Sequence, residues 1–400
     1  MSRLRVLTTL LVLALAVTAC GGDEAADTST TSGSEPSAPD PVTTEAETTT
    51  TETPAAVEVA IADGTPGLVD AVESLYDDRS AVDPEFSDHL AGATAGTDGP
   101  IELTAHTGSV AGEDVAVLTD GTDVLYAVGT DDDWTIVAGT LASLGSEPWY
   151  GPELIQLYVI GSDARPGQSV TGYRADSHHI VTISPDGSGA SIVGIPRDAW
   201  VETPGGGRSK FTNVMASNGP ERVVETAEIL TGLEYQGYLV TGFQGFVELV
   251  DEFGGFEVEV PIRLNDEAAK ANLQAGVQFL RGTDMLAFAR VRKTIPGGDF
   301  TRQFHHGVIM QWGMAATQDK GVTAIPTLLE LLEKHVIFDL TATELVRIAG
   351  VIQHLDPFET TNVVVPATNG TVGGAYVARL GDGAFEIFEA LGDGPWVEAP

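Results

Sequence analysis

The sequence predicts an α/β protein, with a mixed central β-sheet covered by helices and a small α/β domain preceding it. Three observations carry that expectation. Short apolar runs bounded by Gly, Asp and Pro alternate with stretches of helical spacing. Strands and helices intermingle through the second half, as in a sheet with helices packed on it. About 345 residues follow a polar N-terminal tract, a length that suits two domains.

Residues 1–20 read as a signal segment. Arg3 and Arg5 precede an apolar run, Val6 to Val17, that is too short to span a bilayer comfortably. The following Val17-Thr18-Ala19-Cys20 has the form of a lipoprotein cleavage box. It predicts acylation of Cys20 and an extracytoplasmic, lipid-anchored position on the outer face of a bacterial cell membrane. Cys20 is the only cysteine, so disulfides and thiolate metal ligation are excluded as a framework. Residues 21–54, rich in Thr, Ser, Glu and Pro, lack apolar periodicity and read as a disordered stalk.

Residues 55–148 are expected to form the small α/β domain. PGLVDAVESLY places Leu68, Val69, Val72 and Leu75 on one side of a helix. The strands IELTAHTG, DVAVLTD, DVLYAVGT and DWTIVAG follow, separated by Gly and Asp turns. Asp131-Asp132-Asp133 reads as an acidic hairpin turn rather than a cation site, and the segment shows no catalytic constellation. From residue 149 to 400 come strands LIQLYVIG, HHIVTIS and ASIVGIP, then a helix over PERVVETAEILTG. A strand–helix unit, YLVTGFQGFVELVDEFGG, leads into strand FEVEVP. Helices are expected over TDMLAFARVRK, DFTRQFHHGVIMQWGMAATQ, IPTLLELLEKH and TATELVRIAGVIQ. NVVVPA and AYVARL are expected as a final pair of strands before a closing helix.

The formal net charge of −38 argues against nucleic acid as a partner. Against that acidity, thirteen of the twenty basic residues fall between Arg165 and Arg302. Arg165 follows the strand LIQLYVIG, Arg174 and Asp176 precede the next strand, and Arg197 with Asp198 follow the third. Strand ends of α/β sheets are where ligands bind. Arg290 and Arg292 are expected on one helix, and Asp299 and Arg302 share a face of the next. Arginines held at such positions suit forked recognition of phosphate oxygens. Asp163 and Asp176, at neighbouring strand ends, could offer a hard-cation site. His178 and His179 alternate along a strand and so point to opposite faces, which argues against a joint metal site.

The ordered motifs GSDAR, YRADS and GIPRD, followed by Lys210 and Asn213, strongly resemble the LytR–CpsA–Psr family. This domain was also named the cell-envelope-related transcriptional attenuator domain. GPERVVETAEILTG, the YLVTGFQGFVELVDEFGG unit, FEVEVP, FARVRK and GGDFTR continue the resemblance in order. It runs from Leu157 to Gly313 motif by motif and more loosely to the end of the chain. The resemblance implies a phosphotransferase that moves an anionic glycopolymer from a polyprenyl-pyrophosphate carrier to peptidoglycan, forming a phosphodiester. It implies that Arg174, Arg197, Arg290, Arg292 and Arg302 grip the pyrophosphate while Asp163 and Asp176 hold Mg²⁺. Asp299 would orient an arginine or help deprotonate the acceptor. Arg165, Lys210 and Asn213 would complete the substrate-binding set, with the carrier lipid threaded between sheet and helices.

One departure stands out. Where the family commonly carries a further Arg-Gln pair, one turn beyond Arg302, this chain has His305-His306. Histidine there can still donate to a phosphate, with a charge that depends on pH near neutrality, or one of the two takes a structural role. The substitution also keeps open an alternative of another class, a lipoprotein that binds polyprenyl phosphates or wall polymers without catalysis. A pyrophosphatase side activity, with water as acceptor, is a third reading.

Overall fold

The computed structural model describes residues 57–93 and 100–397. The signal segment, Cys20 and the stalk lie outside the described residues. Among the described residues no helix is long and apolar enough to cross a membrane.

The described residues open with β1 (Val59–Ala62), α1 (Pro66–Tyr76) and α2 (Pro84–His89), followed by β2 (Ile101–Val110), β3 (Glu113–Thr119), β4 (Val124–Thr130) and β5 (Asp133–Thr140). Thr65 starts α1 because its hydroxyl oxygen accepts from Leu68 N–H while Pro66 fills a position that needs no donor. The five strands pair in sequence order, β1 parallel to β2 and the others antiparallel. Both faces of this sheet are covered. Ala116 and Leu118 pack under α1 and α2, whereas Val115 and Val117 join a second core shared with Ile155, Leu157 and Leu329. The strand periodicity of two therefore serves two cores. Asp131 and Asp132 adopt positive φ in the turn between β4 and β5, as the acidic-turn reading expects.

Next come β6 (Ile155–Ser162), β7 (Ala175–Ile183), β8 (Ala190–Gly194), the short hairpin β9 (Trp200–Glu202) and β10 (Arg208–Lys210), then α3 (Val214–Thr231). Gly219, at φ 82°, breaks α3, and Pro220 opens its second part, matching the helix expected from PERVV. The strand β11 (Gly237–Thr241) and helix α4 (Phe243–Phe253) precede β12 (Phe256–Val260), β13 (Leu264–Asp266), β14 (Ala271–Leu273) and β15 (Gly276–Leu280). The remainder is α5 (Gly282–Arg290), α6 (Asp299–Lys320), α7 (Ile325–His335), β16 (Ile337–Phe338), α8 (Ala342–Ile352), β17 (Thr361–Val364), β18 (Ala367–Val372), β19 (Ala375–Leu380) and α9 (Asp382–Leu391).

Six of these strands form the mixed central sheet, in the order β16-β11-β6-β7-β8-β17. Residues of α3 and α9 cover one face, together with Tyr158, Ile160 and Val193. Residues of α7 and α8 cover the other, over Leu157 and Ile183. The α/β expectation holds, with two differences of detail. The NVVV strand does not pair with AYVARL; it adds parallel to β8, and AYVARL folds back on ATNGTV. Helix α5 stops at Arg290, because Val291 turns to an extended conformation (φ −63°, ψ 127°), so Arg292 sits on a loop and not on the helix.

Candidate functional site

Parallel β6 and β11 end at the same edge of the sheet, where β7 begins, and a cleft of about 560 Å³ opens there. Strand ends contribute Asp163, Arg165, Arg174, Asp176 and Arg197. The segment 289–293 adds Arg290, Arg292 and Lys293, and α6 adds Arg302 and His306. Seven basic side chains thus face three carboxylates in one cavity, counting Asp266. The five arginines expected to act together do converge, although they come from four separate parts of the chain.

Asp176 is the hub of the deeper half. Its carboxylate meets Arg197 in a tight ion pair, lies 3.6 Å from Arg302 Nη1, and accepts from the Thr212 hydroxyl at 3.1 Å. Its backbone carbonyl accepts from Arg302 Nη2 (2.8 Å) and Gln303 Nε2 (3.2 Å). Burial pushes the Asp176 pKa up, but the hydrogen bond and charge of Arg197, the charge of Arg302 and Thr212 outweigh it and hold the carboxyl below its usual range. Asp163 plays a similar part at the rim, taking Arg174 Nη2 at 3.0 Å and Arg174 N–H at 3.2 Å.

Asp299 does not line the cleft. It lies 2.6 Å from Arg302 Nη2 and 3.8 Å from Arg197 Nε, outside hydrogen-bond geometry to either, so its carboxylate works by charge on the back of two arginines. That geometry supports orientation of arginines and leaves Asp299 no access to a substrate hydroxyl in the cleft.

Arg165, Arg290, Arg292 and Lys293 form no ion pair among the described residues and are the cations left open to a ligand. Arg290 is packed over the Phe243 ring, 4.8 Å from its centroid. Burial, then the like charge of Arg165, lowers its pKa, a repulsion that an incoming anion relieves. Sequence reasoning missed Lys293 and Asp266. The buried Asp266 accepts from Ala268, Ala269 and Lys293 N–H groups and so pins the loop that carries Arg292 and Lys293. The visible signal for Lys293 was its place in FARVRK.

Three expected substrate contacts fall elsewhere. Lys210 pairs with Asp198 at 2.8 Å, behind Arg197, and Asn213 is exposed outside the cleft. His305 is buried against Phe288, its ring stacked at 4.6 Å, because its position on α6 faces the helix core. His306 does border the cleft, yet both ring nitrogens are engaged: Ser177 Oγ lies 2.8 Å from Nδ1 and the Ala289 carbonyl 2.7 Å from Nε2. Burial lowers the pKa of His305 to about 4 and that of His306 well below the ordinary value, which favours the neutral form of both and gives His305 the structural role left open for one of the pair. His178 and His179 do occupy opposite faces, one stacked on Phe211 and the other against the Gln303 carbonyl.

No group of three or more carboxylate, histidine or cysteine side chains gathers as a metal cage among the described residues. Asp163 and Asp176 both border the cleft, and this two-carboxylate donor set fits a Mg²⁺ that draws its other ligands from phosphate and water. At its inner wall the cleft reaches Val159 and Met310, which also line an apolar cavity of about 280 Å³ between the sheet and α6, α7 and α8. That cavity includes Leu157, Leu239, Met314 and Leu332.

The fold and site define a class: an α/β protein with an arginine-rich anion cleft at a sheet edge, backed by an apolar chamber. The LytR_cpsA_psr family profile matches residues 151–389, and the chain belongs to that family. Among curated relatives, the polyisoprenyl-teichoic acid–peptidoglycan teichoic acid transferase TagU of Bacillus anthracis is 29% identical over 198 residues, covering 48% of this chain and 63% of the relative. The TagV transferase of Bacillus subtilis (strain 168) is 32% identical over 137 residues, 32% of this chain and 35% of the relative. The match thus spans less than two thirds of these relatives. Solved structures agree on the fold. The crystal structure of B. subtilis TagV aligns with a TM-score of 0.53 at 22% identity, over 60% of this chain and 96% of that one. TagT bound to LI-WTA gives 0.52 at 22%, over 61% and 91%.

Proposed function

We propose that the protein transfers an anionic glycopolymer from a polyprenyl-pyrophosphate carrier to peptidoglycan, forming a phosphodiester. The observation that carries this reading is the convergence of Arg174, Arg197, Arg290, Arg292 and Arg302 on one cleft that continues into an apolar chamber. The names of the curated relatives support the same class of reaction. A pyrophosphate would sit among the arginines with its lipid in the chamber. The acceptor hydroxyl would attack the phosphorus bearing the glycan, forming a new P–O bond as the bond to the bridging oxygen breaks, and polyprenyl phosphate would leave carrying the proton the hydroxyl gives up.

Such a transfer asks the protein for position and charge stabilisation more than for covalent chemistry. Arg197 and Arg302, fixed by Asp176 and Asp299, would hold the phosphoryl oxygens in a set orientation. Arg165, Arg290, Arg292 and Lys293 would neutralise the remaining charge. Mg²⁺, held by Asp163 and Asp176, would supply further charge neutralisation on the phosphates. Acylation of Cys20 would keep the protein on the outer face of the membrane, where carrier and wall meet.

The test is turnover of a polyprenyl-pyrophosphate glycan by the full chain with Mg²⁺ and peptidoglycan, with phosphodiester product identified by mass. Arg197→Ala and Asp176→Ala should abolish it, and chelation should stop the wild type. Wild-type rates in both variants would sink the proposal. Release of free phosphorylated glycan would mean that water is the acceptor, and tight lipid binding without turnover would point to a carrier protein.

A further inference from the structure

Arg197 has two sides. One faces the cleft and Asp176. On the other, its Nε lies 3.9 Å from Asp198, whose carboxylate holds Lys210 Nζ at 2.8 Å. Lys210 Nζ in turn stands 5.8 Å from the centroid of the Tyr376 ring. The hairpin of β18 and β19 is docked at this corner: Ala378 N–H donates to the Asp198 carbonyl at 2.8 Å, and Ala378 bridges to Ala199. Neither Lys210 nor Tyr376 lines the cleft.

Tyr376 is 44% exposed, in a protein whose largest fully buried side chains are themselves tyrosines and phenylalanines. Its ring is not loose. The hydroxyl donates to Asn369 Oδ1 at 2.6 Å across the hairpin, and β18 and β19 are held in register from Ala367↔Leu380 to Val372↔Ala375. Burial, then the charges of Asp198 and Asp299, raises the phenol pKa. The corner is also close to electrically neutral, since Lys210 and Asp198 cancel, whereas the cleft has cations in excess.

We infer that Tyr376, Asn369 and Lys210 form the seat for the acceptor, an uncharged hydroxyl-rich sugar ring of a glycan strand, on the side of Arg197 away from the lipid chamber. A rigid half-exposed aromatic face takes the C–H face of a sugar, and the amide and ammonium at its edge take hydroxyls. A phosphate would choose the cationic cleft; a neutral ring bearing a nucleophilic hydroxyl would choose this corner. An in-line displacement needs the attacking oxygen on the side opposite the leaving group. The lipid phosphate would leave toward Val159 and Met310, and Asp198, at this corner, lies 3.9 Å from Arg197 Nε. The inference rests on the transfer reading given above.

The experiment compares wild type, Tyr376→Ala and Tyr376→Phe in the full chain, with purified soluble peptidoglycan glycan strands as probe. Binding of the strands is measured by titration calorimetry without donor, and acceptor KM by turnover. Tyr376→Ala should weaken strand binding and raise acceptor KM roughly tenfold, with donor KM unchanged, and Tyr376→Phe should stay within about threefold because the ring remains. Equal strand binding in wild type and Tyr376→Ala overturns the inference, as does failure of the wild type to bind strands. Strand binding lost in Tyr376→Ala, in a wild type that never transfers, keeps the seat and removes the transfer reading. A shared thermal midpoint among the three proteins separates a lost seat from a lost fold.

Discussion

Replacing Asp176 with asparagine removes one charge and almost no volume from the hub of the arginine cluster. Arg302 is buried, at 7% exposure, and Asp176 and Arg197 are partly buried, at 19% and 15%, so solvent screens the loss only in part. At 3.6 Å and an effective dielectric of about 20, the pull of Asp176 on Arg302 alone is about 4–5 kcal/mol before desolvation is subtracted. Deleting one partner of a buried pair typically costs about 3–5 kcal/mol. Asparagine keeps an acceptor for Thr212 and Arg197, and Asp299 remains, so we expect about 3 kcal/mol. Urea unfolding at pH 7, followed by far-UV circular dichroism, would read this as a lower midpoint at unchanged slope. Because the folded pKa of Asp176 lies below the ordinary 3.8, its contribution is complete above that value and fades only as pH falls through the folded pKa. The gap between wild type and variant should therefore be constant from pH 5 to 8. A gap under about 1 kcal/mol, or one that closes near neutrality, would refute the assignment of Asp176 as the charge that holds both arginines.

Further expectations follow from the same geometry. Arg302→Lys keeps the charge and loses the fork, and turnover should fall by about two orders of magnitude with the fold intact. Met310→Trp fills the junction between cleft and chamber, so KM for a long-chain polyprenyl donor should rise while a short-chain analogue is handled as before. Gly282→Ala brings a methyl to 2.2 Å from the Val247 carbonyl, and the forced separation of α4 and α5 should cost about 1–3 kcal/mol in unfolding experiments. His178, His179 and His305 are buried neutral, with pKa values lowered to about 3, 4 and 4. The unfolded chain takes up protons that the folded one refuses, so stability should decline as pH falls from about 6.5 toward 4, measured by thermal midpoint.

The sequence carried most of the local structure because its signals were local. PGLVDAVESLY became α1 with its bounds intact, since capping by Thr65 and a proline at the start act within one turn. What it could not carry depended on distant partners. NVVV was legible as a strand, but its neighbour, β8, lies some 170 residues earlier, beyond the reach of any periodicity. Arg292 was expected on a helix whose end is set by the backbone at Val291, and Asp266 gave no sign that it would pin that arginine's loop. The five arginines could be named from their motifs, yet only the folded chain separates those with carboxylate partners from those without. Which of the two histidines is structural was hidden for the same reason. His305 and His306 look alike in sequence, and one helical step turns the first into the core and the second toward the cleft.

The pairing of Asp163 and Asp176 with Arg174, Arg197 and Arg302 has a thermodynamic consequence for ligand capture. Those arginines arrive with their counter-ions covalently attached to the same chain. An anion that takes their place performs an exchange, and few mobile ions are released when it does. Arg165, Arg290, Arg292 and Lys293 have no such partner, and Arg174, though paired, is 57% exposed and still meets the ions of the solvent. The salt dependence of binding should therefore report about four or five cations, not seven.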